Sequence, residues 1–312
     1  MSKVGRKLIE TVKKGKFMVL TIPNEWKQYT IEGIFKDYWK VPKKLIHEWR
    51  MGKQVTVNNR ILPWNTPMKP GDKLAVPIFE DVDSDPVPAS DLDISILYED
   101  EHLLIANKPP GMDTHPSAAG KVDTLLNGVA HHLLATGQPA VVKHIHRLDR
   151  DTSGAVLFAK NRLSGSMLDK MLEERNIHRT YAAIVHGILT KEKGKINEKI
   201  GRDRHHPTRR RVSPTGQAAV THYQVLDRDE KNKLTRVKCS LESGRTHQIR
   251  VHFSHIGHPL AGDLLYGGKA IFPRQALHAY EISLTHPITE KSIVCRAPFL
   301  DNPPIFSGSR LP

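Results

Sequence analysis

Residues 146–154 read His146-Arg147-Leu148-Asp149-Arg150-Asp151-Thr152-Ser153-Gly154. The apolar pair Val141-Val142 stands ahead of them, and Ala155-Val156-Leu157-Phe158-Ala159 follows. An apolar run of that kind, bounded by a Thr-Ser-Gly turn, predicts a buried strand. A charged loop held between two core segments must find partners for its charges or use them. Asp149 is the first acid to question. Asp151 reads as a solvated or turn-capping residue.

The elements around this loop set the class. Residues 94–108 predict two strands joined at Glu99–Glu101 and stopped by Pro109-Pro110-Gly111. A helix is expected over 124–136, with Asp123 or Thr124 as cap and Gly137 as stop. Another is expected over 163–174, with Leu163, Met167, Leu168 and Met171 on one face. Residues 181–185 predict a strand, and 219–226 with 234–241 a hairpin. Thr246 is expected to cap a helix reaching Gly257, with Ile249, Phe253 and Ile256 facing inward. Residues 277–284 and 293–297 predict the final strands. Strands outnumber helices and many are hairpin-linked. The class is therefore α+β, with a largely antiparallel or mixed sheet.

The chain has 312 residues and a net charge of +14, enough length for two domains and a polyanionic partner. The charge is unevenly spread. Residues 1–79 hold 16 Lys and Arg against 6 Asp and Glu, whereas 80–93 hold six acids and no base. The acidic, Pro- and Ser-rich stretch Glu80–Asp93 reads as a linker between domains 1–79 and 94–312. No apolar run is long enough to span a membrane, and no secretory signal is recognisable. Cys239 and Cys295 lie in strand-like segments and are expected to be reduced core thiols of a cytoplasmic protein.

In the first domain, 17–22 predicts a strand, and 33–39 and 42–51 two short helices. Leu45, Ile46 and Trp49 share a face, and Lys43, Lys44, Arg50 and Lys53 lie mostly off it. This small basic α/β unit resembles the RNA-binding domain of the fourth ribosomal small-subunit protein, in which a helix pair and a strand-turn hold structured RNA. Asn59 stands where that family prefers Gly, and Val41-Pro42-Lys43 replaces its usual Ser-Arg. The resemblance implies RNA contacts at Lys43, Lys44, Arg50 and Lys53.

Three segments of the second domain, His146–Gly154, Arg179–Val185 and Leu241–His252, together resemble the RluA-type RNA pseudouridine synthases. The family pattern H-R-L-D-x-x-T-S-G is met at His146 to Gly154, and G-R-T-H-Q-I-R-V-H at Gly244 to His252. Asn107–Gly111 and Gln275–Ala279 are also similar to the family, so the likeness spans about 94–300. It departs at Arg179, where the family usually has Lys, and at Gln217, where Lys is frequent. The resemblance implies isomerisation of uridine within RNA. It makes Asp149 the catalytic carboxylate and Arg245 the cation that keeps it ionised. Tyr181 is the residue that stacks on the base and assists loss of its carbon-5 proton. Arg147 fills the space vacated by the flipped nucleotide. No cofactor is implied. The partner is structured RNA, with ribosomal RNA favoured over transfer RNA only because the family pairs these two domains. A monomer is expected.

Arg202–Arg211 holds five arginines and reads as either a basic loop or a phosphate grip carried by Arg209, Arg210 and Arg211. The spacings His144-x-His146 and His252/His255/His258 suggest metal ligands, but no Cys pair or H-E-x-x-H joins them, so no metal is expected. Two rival functions remain at this point. One is an RNA chaperone or ribosome-assembly factor with an unused pocket. The other is a metal-dependent nuclease, which lacks a paired-acid cluster.

Overall fold

The computed structural model describes residues 9–79, 87–118, 120–138 and 141–306. The basic start of the chain and the first half of the acidic linker, 80–86, lie outside the described residues. A small antiparallel sheet comes first, from β1 (Thr11–Lys14), β2 (Phe17–Thr21), β3 (Thr56–Val57) and β4 (Lys73–Pro77), in the order β1-β2-β4-β3. A helical turn α1 (Ile31–Gly33), continued by wider turns over Ile34–Tyr38, and helix α2 (Lys43–Met51) pack on it. Helix α2 starts one residue later than the expected 42–51, with Pro42 as its N-cap, and Gly52 ends it. Asn58 and Asn59 both take positive φ, 51° and 64°, in the turn between Val57 and Arg60. Asparagine tolerates that conformation, so Asn59 serves where the resembled family uses Gly.

A large mixed sheet follows. Its strands are β5 (Ser95–Glu99), β6 (Leu103–Lys108), β7 (Lys143–His144), β8 (Ser153–Ala159), β9 (Ile177–His186), β10 (Lys193–Asn197), β13 (Val220–Asp229), β14 (Leu234–Leu241), β15 (Leu277–Thr285) and β16 (Ser292–Arg296). The order runs β10-β13-β14-β9-β15-β8-β6-β5, with β16 beside β15 and β7 beside β8. Between β10 and β13 lies a separate hairpin of β11 (Ile200–Arg202) and β12 (Arg210–Val212). Helices α3 (Leu125–Ala135), α4 (Arg162–Glu173) and α5 (Gln248–His255) cover the sheet. The α+β class with a largely antiparallel mixed sheet is thus observed.

Strands β6 and β8 read as unbroken apolar runs because both of their faces are covered. Leu104, Ala106, Val156 and Phe158 share a core with Leu125, Val129, Ile249 and Phe253 from α3 and α5. Leu103, Ile105, Ala155 and Leu157 share another with Leu168 from α4. Alternation by two sends neighbouring side chains to opposite faces.

Strand β15 sits in the middle. It is antiparallel to β9 and parallel to β8, where His278 faces Ser153 and Ala279 faces Gly154. Gly154 has φ +115°, and a Cβ there would stand 2.3 Å from the Ala279 carbonyl oxygen. Glycine alone lets the two backbones approach at this point. Strand β15 thereby draws the 146–154 loop to the half-sheet that carries Tyr181 and α5.

The small basic unit is docked on the large one. Leu163 and Met167 of α4, with Ile288, complete its core. Arg162 pairs with Glu48 at 2.8 Å, and Lys40 with Glu174 at 2.8 Å.

Candidate active site

The 146–154 loop is held from beneath and behind. Lys108, fully buried, donates to the carbonyls of Pro109, Met112 and Arg150 at 2.7–2.9 Å, using all three ammonium hydrogens. Burial pushes its pKa down to about 7. The Thr114 hydroxyl bonds both backbone groups of Leu148 at 3.1 Å, and Thr152 N–H closes a turn onto the Asp149 carbonyl. Arg274 donates to the Asp151 carbonyl and the Ser153 hydroxyl while paired with Asp301. His146 accepts from Leu157 N–H at 3.2 Å, and burial pushes its pKa down to about 3. It is a neutral pin for the loop.

Asp149 faces a cleft of about 750 Å³ that Tyr181, Arg147, Arg179 and Arg245 also line. Its side chain is 17 % exposed, so it is screened yet reachable. One carboxylate oxygen accepts from Arg250 Nη1 at 3.0 Å. Arg250 is in turn held by Asp263 through Nε at 2.7 Å and Nη2 at 2.9 Å. Burial opposes the Arg250 charge, but the hydrogen bonds and charges of Asp263 and Asp149 outweigh it and raise its pKa. The geometry is a cation clamped between two acids, one deep and one facing the cleft.

Arg250 takes the place the sequence reading gave Arg245. Arg245 is exposed and lines the cleft, but its Nε donates to the Ala218 carbonyl at 3.2 Å, not to Asp149. The cause is the start of α5. His247, not Thr246, is the cap, in the left-handed conformation with φ 58°. Arg245 stays on the turn before the helix, whereas Arg250 lies one step around it from the inward Ile249. Arg250, His247 and Asp263 were not singled out from the sequence. An arginine beside an inward apolar position in a helix that buries its first two turns was the available signal.

Tyr181 is 4 % exposed on β9 and meets the cleft as a phenol, since burial raises its pKa. Arg179, 8 % exposed, lies against Gly244, where a Cβ would come within 3.0 Å of its guanidinium. Arg147 is exposed and makes no hydrogen bond or ion pair among the described residues. The arginine-rich segment is folded as the β11–β12 hairpin. Arg209 and Arg211 are exposed, and Arg210 is half-buried with its N–H on the Tyr266 hydroxyl at 2.9 Å. On the small unit, Lys43, Lys44 and Lys53 are exposed. Arg50 is already engaged, pairing with Glu32 at 3.0 Å and lying over Trp64 at 4.6 Å.

The ligand-like histidines are used otherwise. His144 stacks on His115 at 4.4 Å. His252 bonds Thr221 and the Glu198 carbonyl, and His258 the His186 carbonyl. Among the described residues, no helix is long and apolar enough to cross a membrane.

Comparison with known proteins adds to this geometry. Residues 102–255 match the family model described as RNA pseudouridylate synthase. Residues 18–74 match that of the RluD ribosomal pseudouridine synthase N-terminal domain. A Bacillus subtilis protein named as the uncharacterized RNA pseudouridine synthase YhcT is 45 % identical over 92 % of this chain and 95 % of its own. The ribosomal large subunit pseudouridine synthase D of Pseudomonas aeruginosa is 38 % identical over 77 % of this chain and 79 % of its own. Among solved structures, human RNA pseudouridylate synthase domain containing 1 aligns with TM-score 0.56 and 25 % identity, over 68 % of this chain and 87 % of that one.

Proposed function

The chain belongs to the RNA pseudouridine synthase family, and from that premise we infer that it isomerises particular uridines of structured RNA, large-subunit ribosomal RNA foremost, with Asp149 as the acting carboxylate. The observation that carries this reading is the clamp. Arg250, itself gripped by Asp263, holds one oxygen of Asp149 at the wall of a cleft that Tyr181 shares.

The reaction conserves every atom. The bond from ribose to base N1 breaks, the base turns over, C5 bonds the ribose, and the C5 proton leaves while N1 takes one up. No net electron transfer occurs, so the chemistry calls for no redox cofactor. Asp149 acts on the nucleotide as nucleophile or as stabiliser of an oxocarbenium-like centre. Tyr181 gives the base a face to stack on and lies beside the departing proton. Arg147, with no partner among the described residues, fills the place of the flipped nucleotide. Arg179 and Arg245 line the same cleft and add positive charge that suits an RNA backbone. One chain supplies Asp149, Arg250 and Tyr181, so no second copy is needed to complete the cleft.

We assign residues 1–79 as an RNA-binding arm using Lys43, Lys44 and Lys53, 80–93 as its joint, and 94–312 as the catalytic domain. The match at 18–74 to a ribosomal synthase N-terminal domain favours ribosomal RNA. Two buried, unpaired thiols suit a reducing cytoplasm.

Mapping pseudouridines in total RNA, with and without this protein, tests the function. One or a few large-subunit sites should vanish with the protein and return with it. An unchanged map would favour the RNA-chaperone reading. A second expectation concerns the β11–β12 hairpin. Changing Arg209 and Arg211 to Ala should weaken RNA binding and flatten its salt dependence by up to about 2 log–log units. An unchanged slope in filter binding across salt concentrations would remove the hairpin from the interface.

A further inference from the structure

The two oxygens of Asp149 are treated differently. Arg250 holds one, whereas the other faces His247 Nε2 at 3.9 Å, beyond hydrogen-bond length. The far nitrogen of His247, Nδ1, lies 2.8 Å from the Tyr266 hydroxyl. That hydroxyl already accepts the Arg210 N–H. A backbone N–H only donates, so the hydroxyl's single proton is free to point at Nδ1. An imidazole that accepts at Nδ1 and stays neutral carries its proton on Nε2, facing Asp149. Burial, the chief influence on His247, lowers its pKa and favours that neutral form.

Tyr266 is also the meeting point of the hairpin and the clamp. Its ring lies over the Arg250 guanidinium at 5.0 Å and the Arg209 guanidinium at 5.7 Å. It stands on the tight 260–268 turn that supplies Asp263. There a Cβ on Gly262 or Gly268 would come within 2.0 Å of a carbonyl oxygen. Tyr266 therefore has little freedom to drift.

We propose that His247 is a positioning residue for Asp149, its tautomer set by Tyr266 and Tyr266 held by the backbone of the arginine-rich hairpin, so that seating the hairpin on RNA fixes the orientation of the carboxylate. This rests on the reading of Asp149 given above.

Two substitutions separate positioning from turn-making. In His247→Asn the amide sits where Nδ1 was and suits the backbone, but nothing reaches Asp149. In His247→Gln the amide sits where Nε2 was, on a backbone it tolerates less well. The full-length proteins are assayed for single-turnover pseudouridine formation in total RNA from cells lacking this protein. His247→Asn should be about tenfold slower than the parent, and so should Tyr266→Phe. His247→Gln should recover most of the rate while melting at the lower temperature of the two His247 variants. If His247→Asn runs at the parent rate, or outpaces His247→Gln, the role is only to make the turn and the proposal fails. Asp149→Asn is run beside them. If it keeps activity, the reading of Asp149 itself is wrong. If it is inactive while His247→Asn runs at full rate, only the relay is wrong.

Discussion

Asp149→Asn is expected to abolish pseudouridine formation, by at least about 10³-fold, while leaving a folded protein that still binds RNA. The substitution keeps the shape and one oxygen for Arg250 Nη1, but removes the carboxylate proposed to act on the nucleotide. Arg250 retains both bonds to Asp263, so the clamp does not collapse. The melting temperature should move by a few degrees at most. Affinity should hold or rise, because one negative charge leaves a cleft lined by arginines. The sites lost without the protein must stay lost when Asp149→Asn is supplied. Their return would place the chemistry on another residue.

Arg250→Met should cost more in stability. It strands Asp149 and Asp263 together, the latter with a side chain only 1 % exposed. Breaking one side of a buried pair costs about 3–5 kcal/mol, because an uncompensated charge stays behind. Chemical denaturation should show that loss, and the activity should fall to the level of Asp149→Asn. Arg250→Met combined with Asp263→Asn removes one stranded acid, and it should regain stability without regaining activity. That double variant keeps the test meaningful if the single one fails to fold. Arg250→Lys keeps the charge but not the fork that reaches both acids, so it should fall between. Arg245→Met, at an exposed position, should change stability by no more than about 0.5 kcal/mol. If Arg245→Met proves the more damaging to folding, the clamp is misassigned.

Much of the fold was legible along the chain because the signals were local. The 163–174 periodicity matches α4, which starts at Arg162 with the Asn161 side chain accepting from Ser164 N–H at 2.9 Å. The alternation over 234–241 gave β14. The hairpin β11–β12 was hidden because its residues are mostly arginine, histidine and proline, and its order comes from outside. Arg210 N–H hangs on the Tyr266 hydroxyl, and Ile200 exchanges backbone hydrogen bonds with Gln217. The parallel contact of Ser153 with His278 was hidden for another reason, since no local pattern records a pairing across more than a hundred residues. The clamp combines both obstacles. Arg245 and Arg250 are equivalent as letters, and only the left-handed turn at His247 decides which one points inward.

The central place of β15 has a consequence for how the protein comes into being on the ribosome. Asp149 and Tyr181 belong to two half-sheets, β5-β6-β8 and β9-β14-β13-β10, that share no edge until Leu277–Thr285 slides between them. That wedge is synthesised more than a hundred residues after β8. Until then each half presents an open strand edge, a natural client for chaperones. A nascent chain therefore carries both walls of the cleft well before they can meet, and the cleft closes late.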